Sequence, residues 1–600
     1  MLINFNRRNM EKLNSKGKLQ RKGVMAGTLA LGLSVLLSGC NKTIFDTKYG
    51  FDKALVLGDD AAIILDVEQW KDYQGEQIQL ITNNNFVLLT SSFDTNCFYG
   101  NSNEYSIEEV ALGATESDEI SYLTESDDKT TIFNKDLFDT KWSYNKSITF
   151  NGNNAIILPV GQWKDYEGEQ LQVVSKDGLS LLLSSYNSKL VYDVNSDLKA
   201  DEFAQSYVGS DGKVVDLSTN DYSGFNYDII DTNWSYNKAI VIKENTAIIL
   251  PISEWCDYEG EQIQIKIKNG PTMVTAAYDT ILVNDTKSAI SANDFAKSLC
   301  DKVTDLANGH LEASFFNKTI FDFNNGFSNA IFSNDNSSTV VRIKKWTDYE
   351  GEQLQVELES GDVLLSSSIM MDLISGGNSN LNASIIAKSY IDGNGKIIDK
   401  SNGNTDSPIY NKYILDFEQK FKYALKVVNG NVTIIPLKKW LDYYNDDEET
   451  TNCEQFQLIL PDDTAIVTTA YDTILVNNVS NINDIAEMFR GPEGVISNLE
   501  EYVGSPKVSG WNFSWFDTKY SFKYAILTNE CTSQVFPIRN WLDFKEGEQL
   551  QINFNDNSGI LTSFVNTTLV DPKTEGIEEV IAEAFSGVLS KENELVKVYK

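Results

Sequence analysis

Six tryptophans set the frame of this 600-residue chain. Each lies 24 residues after an aspartate that itself follows an aromatic or aliphatic residue: Asp46/Trp70, Asp139/Trp163, Asp231/Trp255, Asp322/Trp346, Asp416/Trp440 and Asp517/Trp541. Two residues beyond each Trp comes Asp, then Tyr or Phe, and four of the six continue, after one further residue, as Gly-Glu-Gln. The Trp-to-Trp intervals are 93, 92, 91, 94 and 101. A period this regular means one supersecondary unit used six times. It also argues against a single active site assembled from unique residues. The boundaries fall at 40–133, 134–226, 227–317, 318–411, 412–512 and 513–600.

Within a module the β signals come first. In the second, residues 146–150 and 155–160 flank Asn151-Gly152; in the fifth, 424–428 and 432–437 flank Asn429-Gly430. Asn-Gly between apolar runs marks a tight hairpin, because its central residues tolerate positive φ. After the Trp, stretches such as Glu169–Val173 and Glu261–Ile265 alternate Ile, Leu or Val with Gln. Period two predicts strands with the aliphatics inward and Gln outward. Pro159, Pro251, Pro436 and Pro537 each stand four residues before a Trp. Proline cannot donate to a ladder, so that strand should be bulged or at an edge. A helix follows: Ser291-x-x-Asp294 resembles a capping box, and Phe295, Ala296, Leu299 and Cys300 continue at helical spacing. The expected fold class is α+β and β-rich. It would consist of six tandem modules, each a small antiparallel barrel or curled sheet of about five strands plus one short helix.

The first 39 residues differ from the rest. Arg7, Arg8, Lys12, Lys16, Lys18, Arg21 and Lys22 face one acid, Glu11; an apolar run from Gly23 to Leu37 follows, then Leu37-Ser38-Gly39-Cys40. A basic segment, a short apolar core and small residues make a secretory signal. The ending resembles the lipobox of bacterial lipoproteins. That resemblance implies a diacylglycerol (palmitate-type) anchor on Cys40, a signal peptide over 1–39 and a place on the extracellular side of the cell membrane. The modules resemble uncharacterised repeats of secreted proteins and lipoproteins in low-G+C Gram-positive anaerobes, which implies no activity.

The leader carries a net charge of +6, so of the chain's −36 the remainder holds −42. Such a surface has no basic footprint for nucleic acid. The five cysteines after Cys40 are odd in number and occupy no equivalent positions, and there is one His. Disulfide scaffolds and zinc sites are therefore not expected. No cofactor or metal is expected. Asp446-Asp447-Glu448-Glu449, in an insertion of the fifth module, reads as a loop elaboration.

No catalytic residue is expected either. Each module carries its own copy of the carboxylates, no His accompanies them, and turn roles explain them. The recurring Trp70, Trp163, Trp255, Trp346, Trp440 and Trp541 read as structural anchors. Tyr49, Trp142, Trp234 and Tyr520, three residues after an Asp, are candidate ligand contacts, because Trp/Tyr interchange suits a half-exposed position. So are the Gln pairs, Gln77 and Gln79, Gln170 and Gln172, Gln262 and Gln264, if they lie outward. The expected function is non-enzymatic: a lipid-anchored surface protein whose six weak sites bind a repetitive polysaccharide or surface-protein ligand by avidity. A spacer without ligand, or an exclusion or decoy lipoprotein, are the alternatives.

Overall fold

In the computed structural model, the described residues are 51–58, 61–73, 77–82, 84–99, 106–115, 119–123, 132–133, 144–166, 169–218, 236–258, 261–307, 315–316, 326–349, 353–375, 381–401, 409–410, 420–445, 450–477, 481–507, 521–529, 532–544, 549–555, 559–563, 565–587 and 596–598. All belong to the compact unit Gly39–Lys600. It is rich in β-structure.

The second module shows the pattern. Its five strands are Lys146–Asn151, Asn154–Tyr166, Gln170–Ser175, Ser180–Ser184 and Ser188–Tyr192, followed by a helix, Ala200–Val208, and a short strand, Lys213–Asp216. The second strand serves two ladders. Its first half pairs with the first strand (Ile148↔Ile157) and its second half with the third strand (Val173↔Trp163). The register slips between the halves, just past Pro159, and does so equivalently in modules one, three and four. In modules five and six the strand ends outright at Pro436 or Pro537 and resumes at Lys439 or Asn540. Proline, lacking an N–H, suits this point, but modules one and four bulge here with Asp66 and Arg342, so the bulge belongs to the fold and not to proline.

The bend has a large consequence. The expectation of six separate small barrels or curled sheets is wrong, because no module closes on itself. The fourth strand of each module pairs with the fifth strand of the next: Leu89↔Leu190, Leu181↔Val283, Met273↔Ile374, Leu364↔Val476 and Ile466↔Val570. The sixth module pairs with the first through Leu561↔Cys97, so the series is cyclic. Each sheet is thus half one module and half its neighbour. Local alternation could not reveal this, since it fixes which residues share a face but not which strand lies alongside.

The cores follow the sheets. Ala155 and Ile157 enter a core with Trp70, Ile78 and Leu80 of the first module, whereas Ile156, Leu158 and Val160 of the same strand enter the next core, with Trp163, Leu171 and Val173. Both faces of the sheet are therefore covered. Each core is closed by the helix of the following module: Phe203 and Ala204 lie over the first module's core, Phe295 and Leu299 over the second's. Val110 and Ala111 of the first module's helix join Trp541 and Leu550 of the last. Sheets stacked face to face in cyclic order, with a core between each pair, give a propeller-like arrangement.

All six tryptophans are buried, and each meets an aromatic ring 19 residues earlier edge-on. The pairs are Phe51–Trp70, Tyr144–Trp163, Tyr236–Trp255, Phe327–Trp346, Phe421–Trp440 and Phe522–Trp541, at 5.2–5.9 Å between centroids. Edge-to-face pairs of this kind add ~0.5–1.5 kcal/mol beyond their buried area. The turns follow their residues: Asn429 and Gly430 take φ of 44° and 74°, while in the Asn151-Gly152 turn only the glycine is positive, at 52°. Ser291 and Asp294 form a reciprocal capping box at Ala292–Leu299.

Candidate functional site at the converging hairpin tips

The hairpin between the fourth and fifth strands places one residue of each module at its tip. In chain order these are Phe93, Tyr186, Tyr278, Ile369, Tyr471 and Val565. Four of them form a continuous aromatic series. Phe93 stacks on Tyr186 at 4.2 Å between centroids, Tyr186 lies 5.6 Å from Tyr278, and Phe93 meets Tyr471 edge-on at 6.0 Å. Modules one and five are not neighbours in the pairing order, so the last contact means that the tips converge. The rings are half-buried, and Tyr278 is 37% exposed.

The residue after each tip alternates. Modules one, three and five have Asp94, Asp279 and Asp472; modules two and six have Asn187 and Asn566, and module four has Met370. The asparagines tie successive tips together, donating from Nδ2 to the Tyr278 carbonyl (3.0 Å) and the Phe93 carbonyl (2.8 Å). Each aspartate meets a buried lysine. Lys189, fully buried, pairs with Asp94 and donates to Thr90 Oγ1 at 2.9 Å; Lys426 reaches Asp472 at 2.6 Å and Thr468 at 2.8 Å; Lys243 pairs with Asp279. Each ammonium also lies over an aromatic ring of the next helical segment or its end: Tyr207 at 5.1 Å, Tyr390 at 5.8 Å, Phe585 at 5.6 Å. The three lysines come from three different repeat positions on two of the strands, so charge is matched in space rather than by repeat register.

These pairs are costly to bury, and their protonation shows it. Burial pushes Asp472 above the usual carboxylate range, against the pull of Lys426. Burial likewise lowers Lys426, against the pull of Asp472. Burial, with Lys243 opposing and Asp372 assisting, raises Asp279 to about 6. Each of the three tip aspartates thus has a lysine as its counter-charge.

The sequence-derived contacts fare differently. Gln77, Gln79, Gln170, Gln172, Gln262 and Gln264 are all buried, so they form no exposed strip. Gln79 Nε2 donates to Tyr144 Oη at 2.6 Å and Gln172 Nε2 to Tyr236 Oη at 3.0 Å, each across a module boundary. The reason is the second layer: the face opposite the aliphatics looks into the next core rather than into solvent. Tyr49, Trp142, Trp234, Tyr520, Cys40 and the acidic stretch 446–449 lie outside the described residues. The tip motif itself was available in the sequence as Phe93-Asp94-Thr95, Tyr278-Asp279-Thr280 and Tyr471-Asp472-Thr473. Its recurrence in alternate modules was the signal. Among described residues no three His, Cys, Asp or Glu gather as a metal site, and no helix is long and apolar enough to cross a membrane. Cys97, Cys256 and Cys300 are buried thiols, and burial pushes Cys300 up to about 12.

No family model and no curated protein matches the chain. Similar solved structures include the C-terminal WD40 domain of Sif2, at 7% identity over 86% of this chain and 99% of that one, TM-score 0.12. The Dos1 propeller shows 7% identity over 86% and 95%, TM-score 0.11, and BamB from Moraxella catarrhalis 6% over 74% and 98%, TM-score 0.10. TM-scores this low carry no fold assignment, and the architecture rests on the strand pairings and shared cores.

Proposed function

We propose that the protein is a lipid-anchored component of the bacterial cell surface that binds, without chemistry, one neutral saccharide segment at the converged hairpin tips. The anchor rests on the leader ending in Leu37-Ser38-Gly39-Cys40. The binding site rests on one observation: tips of non-neighbouring modules meet, in the Phe93–Tyr471 contact, and present half-exposed aromatic rings side by side. Aromatic rings offer apolar faces with little conformational entropy to lose on binding. Amide side chains sit among them, each tip aspartate beneath is paired with a lysine, and no free cation faces the rings among the described residues, which favours an uncharged ligand over a polyanionic one.

This reading replaces six independent weak sites by one composite site. Stoichiometry separates the two. Titration of the full chain with neutral envelope oligosaccharides should saturate at one per chain. Tyr186→Ala combined with Tyr278→Ala should abolish it without unfolding the protein. Saturation at six per chain would restore the avidity reading, and no binding to any neutral glycan would leave the spacer role. For the anchor, incorporation of labelled lipid precursor should vanish in Cys40→Ala; unchanged labelling refutes it.

A further inference from the structure

The three acid–lysine pairs below the tips are not equivalent. Around Asp94 and Asp472 one carboxylate meets one ammonium. Around Asp279 there is a second acid, Asp372, on the fifth strand of module four. It occupies the strand position held by Lys189 in module two and by Ile281 and Ile474 in modules three and five. Asp372 is 0% exposed, and beside Lys243 it faces the Tyr390 hydroxyl, a hydrogen-bond partner that carries no charge. Its Oδ1 lies 3.7 Å from Lys243 Nζ, which is already engaged by Asp279.

Two buried carboxylates thus share one buried ammonium. An uncompensated buried charge costs several kcal/mol unless a proton neutralises it. Two acids sharing a site cannot both ionise freely. The other polar and charged groups facing the cluster do not supply the missing charge. Tyr390 Oη, from the segment closing module four's helix, lies beside Asp372 as a hydrogen-bonding but uncharged neighbour and 4.0 Å from Met273 Sδ; Thr275 and Thr280 hydrogen-bond each other at 3.1 Å; Glu244 adds a further acid beside Lys243. Burial, followed by Asp372, holds the Tyr390 phenol well above its ordinary range.

We propose that the Lys243–Asp279–Asp372 cluster holds one exchangeable proton, and that losing it loosens the hairpin carrying Tyr278, so that the tip site is sensitive to pH. Asp279 follows Tyr278 directly, so the cluster and the exposed ring share one turn. The sign follows from linkage. A carboxyl whose folded affinity for the proton is raised stabilises the fold fully below its unfolded pKa. That contribution is lost as pH rises through the folded value, here about 6.

The test uses the full wild-type chain. Infrared spectra should show a protonated-carboxyl band that disappears as pH rises through about 6 and is missing in Asp372→Asn. Amide hydrogen exchange, corrected for its intrinsic pH dependence, should show protection at the Tyr278 tip falling by up to roughly tenfold per pH unit as pH rises to about 6. The tips at Phe93 and Tyr186 should stay unchanged. A band that persists unaltered in Asp372→Asn, or equal pH response at all three tips, would overturn the proposal. The wild-type exchange data decide it even if the variant does not fold.

Discussion

The seams between modules and the hairpin tips come from the same repeat, yet one is uniform and the other is not. At every seam an aromatic–Trp pair sits edge-on, and a helix from the next module covers the core. At the tips the side chain changes from Phe to Tyr to Ile to Val, and the residue after it alternates between acid and amide or thioether. The difference teaches where each constraint lives. A cyclic series must repeat its interfaces to close. Tips that converge, as those of modules one, two, three and five do, cannot all be identical without crowding like groups together, and three buried Asp–Lys pairs already alternate around them.

Removing a seam should have the largest effect. Deleting 513–600 takes away the strand Gly559–Ser563, which pairs with Thr95–Tyr99 of module one, and the core that receives Val110 and Ala111. It bares a sheet edge and an apolar helix face. Cooperative unfolding by circular dichroism should be lost, with aggregation; a monomeric, cooperative product would show that the modules are independent after all. Next comes a single anchor. Trp163→Ala should cost ~3–5 kcal/mol in denaturant unfolding. The same substitution at Trp346 should cost about as much if the seams are equivalent. Lys189→Met tests the layer between seam and tip. It leaves Asp94 with hydrogen bonds from Tyr207 at 3.0 Å and Thr95 at 3.0 Å but no counter-charge. The expected loss is ~3 kcal/mol, and a loss below ~1 kcal/mol would mean that the pair is dispensable.

Most of this seam was legible in the sequence only as a pattern without a direction. The 24-residue interval located the Trp, Asn429-Gly430 located a turn, and Ser291 and Asp294 located a helix start. Proline four residues before the Trp located the bulge or break in four modules, but not the same bulge in modules one and four. Nothing local said that the strand passing through Pro159 leaves one sheet for another, because pairing partners are chosen by three-dimensional closure rather than by adjacent residues. The Gln pairs show the same limit. Gln79 and Gln172 alternate with Ile and Leu as solvent-facing residues would, but the face they occupy is covered by the neighbouring module. Period two separates faces; it does not tell a polar buried face from a wet one. Tyr144 and Tyr236, which receive those amides, could be spotted only by aligning modules and seeing Phe at the other four equivalent positions.

That substitution is itself a small test. Tyr236→Phe makes module three resemble module four and removes the hydroxyl that Gln172 donates to. A cost of ~1 kcal/mol is expected, the net worth of one buried hydrogen bond with an amide left to re-pair. A neutral result in thermal melts would say that the four phenylalanine seams lack nothing.

The smallest stability effect belongs at the tips, and it bears most directly on what they are for. Tyr278 is 37% exposed, and its packing is with Tyr186 at 5.6 Å rather than with a closed core. Its carbonyl, not its ring, accepts the Asn187 side chain, so that bond survives truncation. Tyr278→Ala should therefore cost under ~1 kcal/mol, as exposed positions away from buried networks do. Tyr186→Ala, which loses stacking with Phe93 as well, should cost slightly more. If either matched Trp163→Ala, the tips would be one more core and their variation would need a structural cause. If both stay small while saccharide binding is lost, the aromatic rings are held half-exposed for a ligand, at a position where the fold has no use for them.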